Sequence, residues 1–398
     1  MAERKLRWMP LDNAALIFPA ARRKHWSNVF RISVTLTEPV DPALLQTALE
    51  HTAPRFPSVC VRLRRGLFWY RLEELGAPPP VAEDGHHPLL PMPLAEIRRC
   101  AIRVLYYRER MAAEFFHAVT DGTGAMIFTK NLAAEYLRLR YGISVPCSCD
   151  IRDLGETPPE AELEDSFQAH AGPVSSPRDD GNVYRIRDKL EPDRFLHVTL
   201  GMRDSEALHG RAKAMGVTVT AYLTALLLDT LLQMQAEEQP KPRKRRPVKV
   251  QIPVNLRQLY GGVTMRNFVA VANVGVDPRL GDYSFEELVK SVHHQMQLTI
   301  TDKSMRAIFT PNVRDARNPF MKVVPLFLKN IVMRMVFDTI GERVSCLTLS
   351  NLGRVELPAE MCPYVNRIEF VLGEQPASRA LSSIFWPCSS VPVRNITS

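Results

Sequence analysis

The chain has 398 residues, of which 45% are hydrophobic and 24% charged, and its formal net charge is +8. This length allows two lobes with sizeable cores, and the ordinary composition excludes fibrous, disordered and disulfide-framework proteins. The first residues lack the apolar stretch of a secretory signal. The longest apolar run, residues 221–232, contains Asp229 and is too short to span a bilayer. We therefore expect a cytoplasmic protein without a transmembrane segment.

The first third of the chain predicts two strands followed by a helix. Residues 100–108 and 111–116 are apolar, β-branched or aromatic runs separated by two charged residues, as in a strand pair. From residue 123 to residue 141, apolar side chains recur at helical spacing. Gly142 then stands where a helix C-cap is expected.

The turn between the second strand and the helix, residues 115–124, reads Phe-Phe-His-Ala-Val-Thr-Asp-Gly-Thr-Gly. His117 is a candidate general base, because imidazole titrates near neutral pH. Asp121 either accepts local hydrogen bonds or pairs with a distant cation. Gly122 and Gly124 are interpreted as allowing backbone angles that other residues adopt at a cost. Taken alone, His117 is equally compatible with a packing or surface residue.

A polar segment divides the chain. Residues 151–182 are rich in Asp, Glu, Pro and Ser and show no sustained period, which indicates a flexible crossover. The crossover separates an N-terminal lobe, residues 1–150, from a C-terminal lobe, residues 183–398. The apolar run at 221–232 is predicted as a buried helix of the second lobe.

A basic run follows that helix and precedes a predicted strand over residues 248–254. Residues 241–249 hold six cations in nine positions. A solvated loop is the simpler interpretation, and attraction of an anionic donor such as CoA or an acidic carrier protein is the functional one. No stacking aromatic residues interleave the run, so a nucleic-acid partner is not expected.

The remaining histidines and cysteines do not suggest a second site. His293 and His294 lie in a helical run opened by a capping-box pattern, Ser284 with Glu287, and are interpreted as helix surface. The seven cysteines are scattered and lack metal-ligand spacing. We expect reduced thiols and no structural metal.

Taken together and in order, six segments resemble the CoA-dependent acyltransferases of the chloramphenicol acetyltransferase type. This superfamily includes condensation domains, wax ester synthases and alcohol acetyltransferases. The resemblance covers about residues 8–372 and is greatest to the stand-alone alcohol-acetyltransferase-like bacterial proteins, because Phe116 stands where many condensation domains have a first histidine. The segments are Met-Pro-Leu-Asp-Asn-Ala (9–14), Arg-Phe-Pro (55–57), Gly-Leu-Phe-Trp-Tyr (66–70), the His117 motif, Ile-Pro-Val-Asn-Leu-Arg (252–257) and Leu-Ser-Asn-Leu-Gly (349–353).

The resemblance implies an α/β (α+β) fold of two similar lobes set in a V, each a mixed sheet packed with helices. It implies that His117 is the general base in a tunnel that takes an acyl thioester from one side and an alcohol or amine from the other. Asp121 and Gly122 would support the site, with Arg257 of the other lobe pairing with Asp121. The implied donor is acyl-CoA, with no permanently bound cofactor and no metal. A carrier-protein-dependent condensation enzyme and a catalytically inactive binding or scaffold protein remain as alternatives.

A strand near the end of the resemblance is expected to border the tunnel. Thr348 and Ser350 alternate with leucines, which predicts a half-buried strand. A hydroxyl there, or Asn351 beside it, is a candidate donor to the oxyanion of acyl transfer. The alternative is a sheet-edge turn without chemistry.

The end of the chain departs from the superfamily pattern. Residues 367–372 still predict a strand, but no helical or strand period follows residue 375. We expect the second lobe to be shortened or altered at its end.

Overall fold

The structure of the protein is a computed structural model with two lobes of helices and mixed sheets. The part it describes consists of residues 6–23, 28–85, 87–175, 182–186, 196, 198–337 and 344–373, and of the backbone of 379–385. The strands are β1 (Trp8–Pro10), β2 (Val29–Leu36), β3 (Val61–Arg65), β4 (Tyr70–Glu74), β5 (Ala82–Glu83), β6 (Ile102–Tyr107), β7 (Arg110–Phe116), β8 (Val248–Asn255), β9 (Val269–Val276), β10 (Leu347–Arg354), β11 (Val365–Leu372) and β12 (Arg379–Phe385). The helices are α1 (Ile17–Ala21), α2 (Pro42–Thr52), α3 (Leu94–Ile97), α4 (Gly122–Tyr141), α5 (Glu160–Leu163), α6 (Ser166–His170), α7 (Ser205–Ala214), α8 (Val219–Glu238), α9 (Arg257–Tyr260), α10 (Phe285–Thr299), α11 (Asp302–Arg317), α12 (Pro319–Val323) and α13 (Leu326–Val336).

The first lobe is built on a five-stranded sheet in the order β11-β2-β7-β6-β5. The strand pairs are antiparallel except for β5 with β6. Helix α4 packs against β2 and β7, and α2 packs against α4. Nearly every residue of β2 and β7 is buried, because both faces of these central strands are covered.

Strand β11 enters this sheet from the far end of the chain. It pairs antiparallel with β2, and Ile368 and Phe370 join the core of the first lobe. The expected division into lobes of residues 1–150 and 183–398 therefore assigns β11 to the wrong lobe. Hydrophobic pattern alone cannot assign a strand to one of two sheets, because both sheets bury the same kinds of residue.

The second lobe has a four-stranded sheet in the order β12-β10-β8-β9, in which only β8 and β9 pair antiparallel. Helices α8 and α10 pack on it and on each other. The predicted buried helix at 221–232 is confirmed within α8, and β8 alternates buried and half-buried residues as a strand covered mainly on one face should. The third sheet, β1-β4-β3, is antiparallel.

Two expectations about irregular segments differ from the structure. The segment at 151–182 contains the short helices α5 and α6, and the Arg55 guanidinium contacts the buried carboxylate of Glu162 at 2.6 Å. After residue 375, where no strand period was found, the β12 backbone pairs parallel with β10. Residues 374–378 and 386–398 lie outside the described part of the chain.

The helix ends agree with their sequence signals. Gly142 closes α4 with a φ of 67°, a left-handed conformation that favours glycine. Ser284 and Glu287 form the expected capping box of α10.

Cys362 is disulfide-bonded, which differs from the expectation of reduced thiols. Among the described residues, the thiols of Cys60, Cys100, Cys147, Cys149 and Cys346 are free.

Within the described residues, no single helix is long and apolar enough to cross a bilayer. Helices α7 and α8 meet the length and composition requirement only as a pair, and the chain bends by 84° between them.

Candidate active site

His117 is the first residue after β7, in the turn that leads into α4. Its backbone N–H donates to the Asn28 carbonyl at 2.7 Å, which fixes the chain as it leaves the sheet. The imidazole stacks on Phe18 of α1, with ring centroids 4.7 Å apart, and lies 4.8 Å from the Phe30 ring. The residue as a whole is half-buried, and the aromatic neighbours fix the position of the ring.

One ring nitrogen of His117 is held by Asn267 of the second lobe. The His117 Nδ1 atom and the Asn267 Oδ1 atom are 3.1 Å apart. The other amide atom of Asn267, Nδ2, donates to the His117 carbonyl at 3.0 Å and to Asp12 Oδ2 at 3.1 Å. Because those partners are acceptors, the amide orientation is fixed and Oδ1 faces the ring. Nδ1 therefore carries the proton, and Nε2 keeps the lone pair that a general base needs.

Burial lowers the pKa of His117 below its ordinary 6.5. Its own backbone carbonyl, the Asp121 charge and the Asn267 hydrogen bond act in the opposite direction but do not cancel the effect of burial. The imidazole is therefore neutral at pH 7 and able to accept a proton.

The hydrogen bonds continue from Asn267 to Asp12, which is fully buried. Asp12 Oδ1 accepts from the Ala15 N–H at 2.8 Å, and the Arg266 guanidinium lies 3.8 Å from Oδ2. Burial raises the pKa of Asp12 to about 6, while Arg266 partly offsets this rise. His117, Asn267 and Asp12 thus form a chain of hydrogen bonds that spans both lobes, and Asn267 and Asp12 in it are buried.

Asp121 caps α4 and joins the two lobes. Its Oδ1 accepts from the N–H groups of Thr123 and Gly124, both at 3.1 Å. Its Oδ2 accepts from Arg257 Nη1 and from the Phe268 N–H, both at 2.8 Å. The buried carboxylate therefore serves as a helix cap and as one half of an ion pair between lobes.

Arg257 is held in turn by the loop before β9. Its Nη2 donates to the carbonyls of Thr264 and Arg266, at 2.9 and 2.6 Å. The Thr120 hydroxyl donates to the Met265 carbonyl of the same loop at 2.6 Å. Residues 264–268 therefore contact the His117 turn at several successive positions.

Both glycines of the motif lie where the second lobe approaches closely, and the contact at Gly124 is with backbone. A Cβ on Gly122 would lie 2.6 Å from Leu352 Cδ2 of β10, and a Cβ on Gly124 would collide with the Met265 carbonyl. Neither glycine has a positive φ. Close approach of the two lobes, and not unusual backbone angles as expected, explains these residues.

The predicted oxyanion residues lie on β10. Thr348 and Ser350 are buried together with their leucine neighbours, so this part of the strand is covered on both faces and is not half-buried. The Thr348 hydroxyl donates to Gln251, and the Asn351 amide donates to Thr220. Ser350 lies two residues before Leu352, the side chain that faces Gly122.

Sequence reasoning missed Asp12 and Asn267 as site residues. Asp12 was noted only as part of a resembling segment. The sequence offered only a weak signal for Asn267, namely a polar pair, Arg266-Asn267, shortly before the apolar strand β9. Both residues are buried, and buried polar side chains are uncommon enough to indicate a specific partner.

The other candidate features lie away from this junction. His293 and His294 are on α10, half-buried and exposed respectively. Of residues 241–249, the first seven form a mostly exposed connection between α8 and β8, and the last two begin β8. Among the described residues, no cluster of three or more histidine, cysteine or acidic side chains has a metal-binding arrangement.

No protein-family model and no curated protein sequence matches the chain. Solved structures do match it. The first condensation domain of the CDA synthetase is 16% identical, with a TM-score of 0.56, and the match covers 95% of this chain and 88% of that one. The chain has the condensation-domain fold. The predicted fold class, with two acyltransferase-like lobes, is thereby confirmed.

Two further structures share this fold. Polyketide synthase associated protein 5 from Mycobacterium tuberculosis is 12% identical, with a TM-score of 0.60 and coverage of 96% of this chain and 91% of that one. F. graminearum TRI101 complexed with coenzyme A and deoxynivalenol is also 12% identical, with a TM-score of 0.55 and coverage of 94% and 91%. At these identities the likeness establishes the fold of the chain.

Proposed function

We propose that the protein is an acyltransferase that moves an acyl group from a thioester to an alcohol or amine, with His117 as the general base. The observation that carries this proposal is the state of the imidazole. It is neutral at pH 7, its Nδ1 is engaged by Asn267, and its Nε2 has no hydrogen-bond partner among the described residues. A base held in this way is suited to accept a proton from an acceptor and to return it.

The proposed acyl transfer consists of proton transfers at His117 and nucleophilic attack on the thioester. His117 Nε2 takes the proton from the acceptor O–H or N–H as the acceptor atom bonds to the thioester carbonyl carbon. The carbonyl oxygen becomes an oxyanion, and its collapse breaks the carbon–sulfur bond. The proton on Nε2 then passes to the leaving thiolate, which restores neutral His117.

Acyl-CoA is the donor that we favour. One protein of the same fold, TRI101, has been crystallised with coenzyme A, and the cationic, mostly exposed residues 241–249 offer attraction for an anionic donor. The second candidate is a carrier-bound thioester, which the likeness to a condensation domain favours. Comparison of turnover with acyl-CoA and with the same acyl group on a carrier protein distinguishes these donors.

His117→Ala tests the base directly. With a panel of acyl-CoA donors and alcohol or amine acceptors, we expect kcat to fall by about 10²–10⁴-fold. His294→Ala, on the exposed surface of α10, is the matched control and should leave kcat unchanged. In the wild type, activity should be lost as pH falls through a pKa below 6.5, because protonation removes the Nε2 lone pair.

Retention of full activity by His117→Ala would refute the catalytic role. Binding of CoA without turnover of any donor in the wild type would instead favour the inactive binding protein among the alternatives.

Within this proposal, Ser350 is the preferred oxyanion donor. The Thr348 hydroxyl and the Asn351 amide already donate hydrogen bonds to Gln251 and Thr220 of the second lobe. Ser350 is two residues before Leu352, the β10 residue whose side chain faces the motif. Ser350→Ala should lower kcat by about 10²-fold, as removal of one oxyanion donor does elsewhere. Thr348→Val is the control, and equal activities of the two variants would remove the oxyanion role.

A further inference from the structure

Helix α13 presents its apolar side to the outside and its polar side to the protein. Phe327 and Val332 are 54% and 57% exposed, and Leu328 and Ile331 are exposed on the same face. Lys329, by contrast, is only 2% exposed. This is the reverse of a surface helix in a globular protein, whose polar face meets water.

The inward polar residues of α13 have specific partners. Lys329 Nζ donates to the Phe68 carbonyl at 2.9 Å and lies 3.3 Å from the centre of the Trp69 ring. The Asn330 amide donates to the Tyr70 hydroxyl at 3.0 Å. The orientation of α13 is therefore fixed by contacts with the β3–β4 hairpin, and its apolar face is directed outwards.

Neighbouring segments extend the apolar surface. Phe320 and Val323 of α12 are 71% and 63% exposed, and Leu67 at the hairpin tip is 72% exposed. The tip is joined to the helix, because the Leu326 N–H donates to the Leu67 carbonyl at 2.9 Å. We call this surface, formed by the hairpin tip with α12 and α13, the apolar face.

The segments that form the apolar face carry exposed positive charge. Residues 61–71 and 319–337 contain seven Lys or Arg. Of these, Arg62 and Arg64 pair with Glu73 of the same hairpin and Lys329 is buried, so four cations meet solvent without a carboxylate in these two segments. Arg65, Lys322 and Arg334 among these cations are exposed. A pocket of about 470 Å³ lies at the edge of the face, lined by Arg71, Lys322 and apolar side chains of the hairpin.

We propose that the apolar face binds the surface of an anionic phospholipid bilayer, with the apolar side chains entering the interface and the cations meeting the headgroups. Large apolar side chains on one face and cations beside them are the combination that interfacial helices use. A partner protein would also cover apolar side chains, but the exposed cations beside them, Arg65, Lys322 and Arg334, favour a negatively charged surface.

The proposed membrane face is close to the candidate base. Helix α13 packs against α1, and Phe18 of α1 stacks on the His117 ring. A bilayer at the apolar face would thus lie one short helix away from the active site. Vesicle binding needs no acyl donor, so the membrane proposal succeeds or fails independently of the acyltransferase proposal.

Flotation with vesicles tests the proposal. The full chain should float with vesicles of phosphatidylcholine and phosphatidylserine, less with phosphatidylcholine alone, and less at high salt. The double variant Phe327→Ser with Val332→Ser should bind about tenfold more weakly or worse. Its control is Leu280→Ser with Leu298→Ser, two side chains that are more exposed but lie elsewhere.

Charge variants test the second part of the surface. Arg65→Gln with Lys322→Gln should weaken binding by about fivefold for each cation removed. Arg243→Gln with Lys244→Gln, in the basic run, removes equal charge elsewhere and should have a smaller effect. Unfolding midpoints equal to that of the wild type confirm that each variant folds.

Three results would overturn the proposal. The first is failure of the wild type to float with anionic vesicles, and the second is equal binding to neutral and anionic vesicles. The third is a dimer, seen by sedimentation velocity without vesicle binding, that Phe327→Ser with Val332→Ser dissociates. That result would identify a second copy of the chain as the occupant of the face.

Discussion

Two buried carboxylates flank His117 and differ in how they meet the second lobe. Asp121 accepts four hydrogen bonds, one of them from the Arg257 guanidinium at 2.8 Å. Asp12 accepts from one amide and two backbone N–H groups, and its nearest guanidinium, that of Arg266, is 3.8 Å away. The pKa of Asp12 is accordingly raised to about 6 by burial.

The difference shows that two aspartates at the same junction between the lobes have different roles. Asp121 is a capping and bridging group whose loss would leave Arg257 without its partner. Asp12 has a longer ion pair, 3.8 Å from Arg266, and orients Asn267, which in turn holds the His117 ring. The first carboxylate is therefore expected to control folding, and the second to control the position of the base.

The largest effect on stability should come from Asp121→Ala. This change removes the carboxylate partner of Arg257, whose side chain is 10% exposed, and uncaps α4, and we expect a loss of about 3–5 kcal/mol in the free energy of unfolding. Asp204→Ala is the matched control, because the exposed Asp204 caps α7 without an ion pair, so it should cost about 1 kcal/mol.

Urea denaturation of both variants measures the difference. Similar losses would show that the pair with Arg257 adds little beyond the cap. A soluble and stable but inactive Asp121→Ala protein would argue for a direct chemical role.

Asp12→Asn should change how stability depends on pH. A carboxyl whose pKa is higher in the folded state than in the unfolded state favours folding while it is protonated. Its contribution to stability falls as pH rises from about 4 to about 6, by about 3 kcal/mol in total. The asparagine variant lacks this titration, so its stability relative to the wild type should increase over that interval.

Denaturation midpoints across the interval check this prediction, with the exposed Asp204→Asn as the control. Parallel pH curves for Asp12→Asn and the wild type would contradict a raised pKa for Asp12.

Asn267→Leu should have the smallest effect. It removes the side chain through which Asp12 is connected to the His117 ring. The loss of one hydrogen bond to the ring should lower kcat by about tenfold. Because the Asn267 hydrogen bond raises the pKa of His117, its removal should move the acid limb of the activity profile to lower pH.

A role of Asn267 in stability alone would not move the acid limb. Asn273→Leu, farther along the same chain segment in β9, is the control. An unchanged limb together with unchanged kcat would exclude Asn267 as a positioning residue.

The sequence predicted the local part of the site well. The strand–turn–helix around His117, the glycine cap at Gly142 and the capping box of α10 all depend on residues within a few positions of one another. The Asp121–Arg257 contact, expected from resemblance, is present at 2.8 Å. The strand β12 was not predicted, because its residues show no clear period.

Contacts between residues that are far apart in the sequence could not be predicted in the same way. Asn267 is 150 positions from His117, and β11 could pair in either sheet by its pattern. The outward apolar face of α13 is invisible in the sequence, because an amphipathic pattern does not state which side faces the protein.

The sequence by itself determined the strand–turn–helix around His117, the helix caps and the candidate base, since these depend on backbone preferences and local hydrogen bonds. Only the tertiary structure decided which side chains hold the imidazole, why Gly124 must be small, and which helix face is exposed. The physical reason is that these properties arise where separate segments pack together, so no local pattern encodes them.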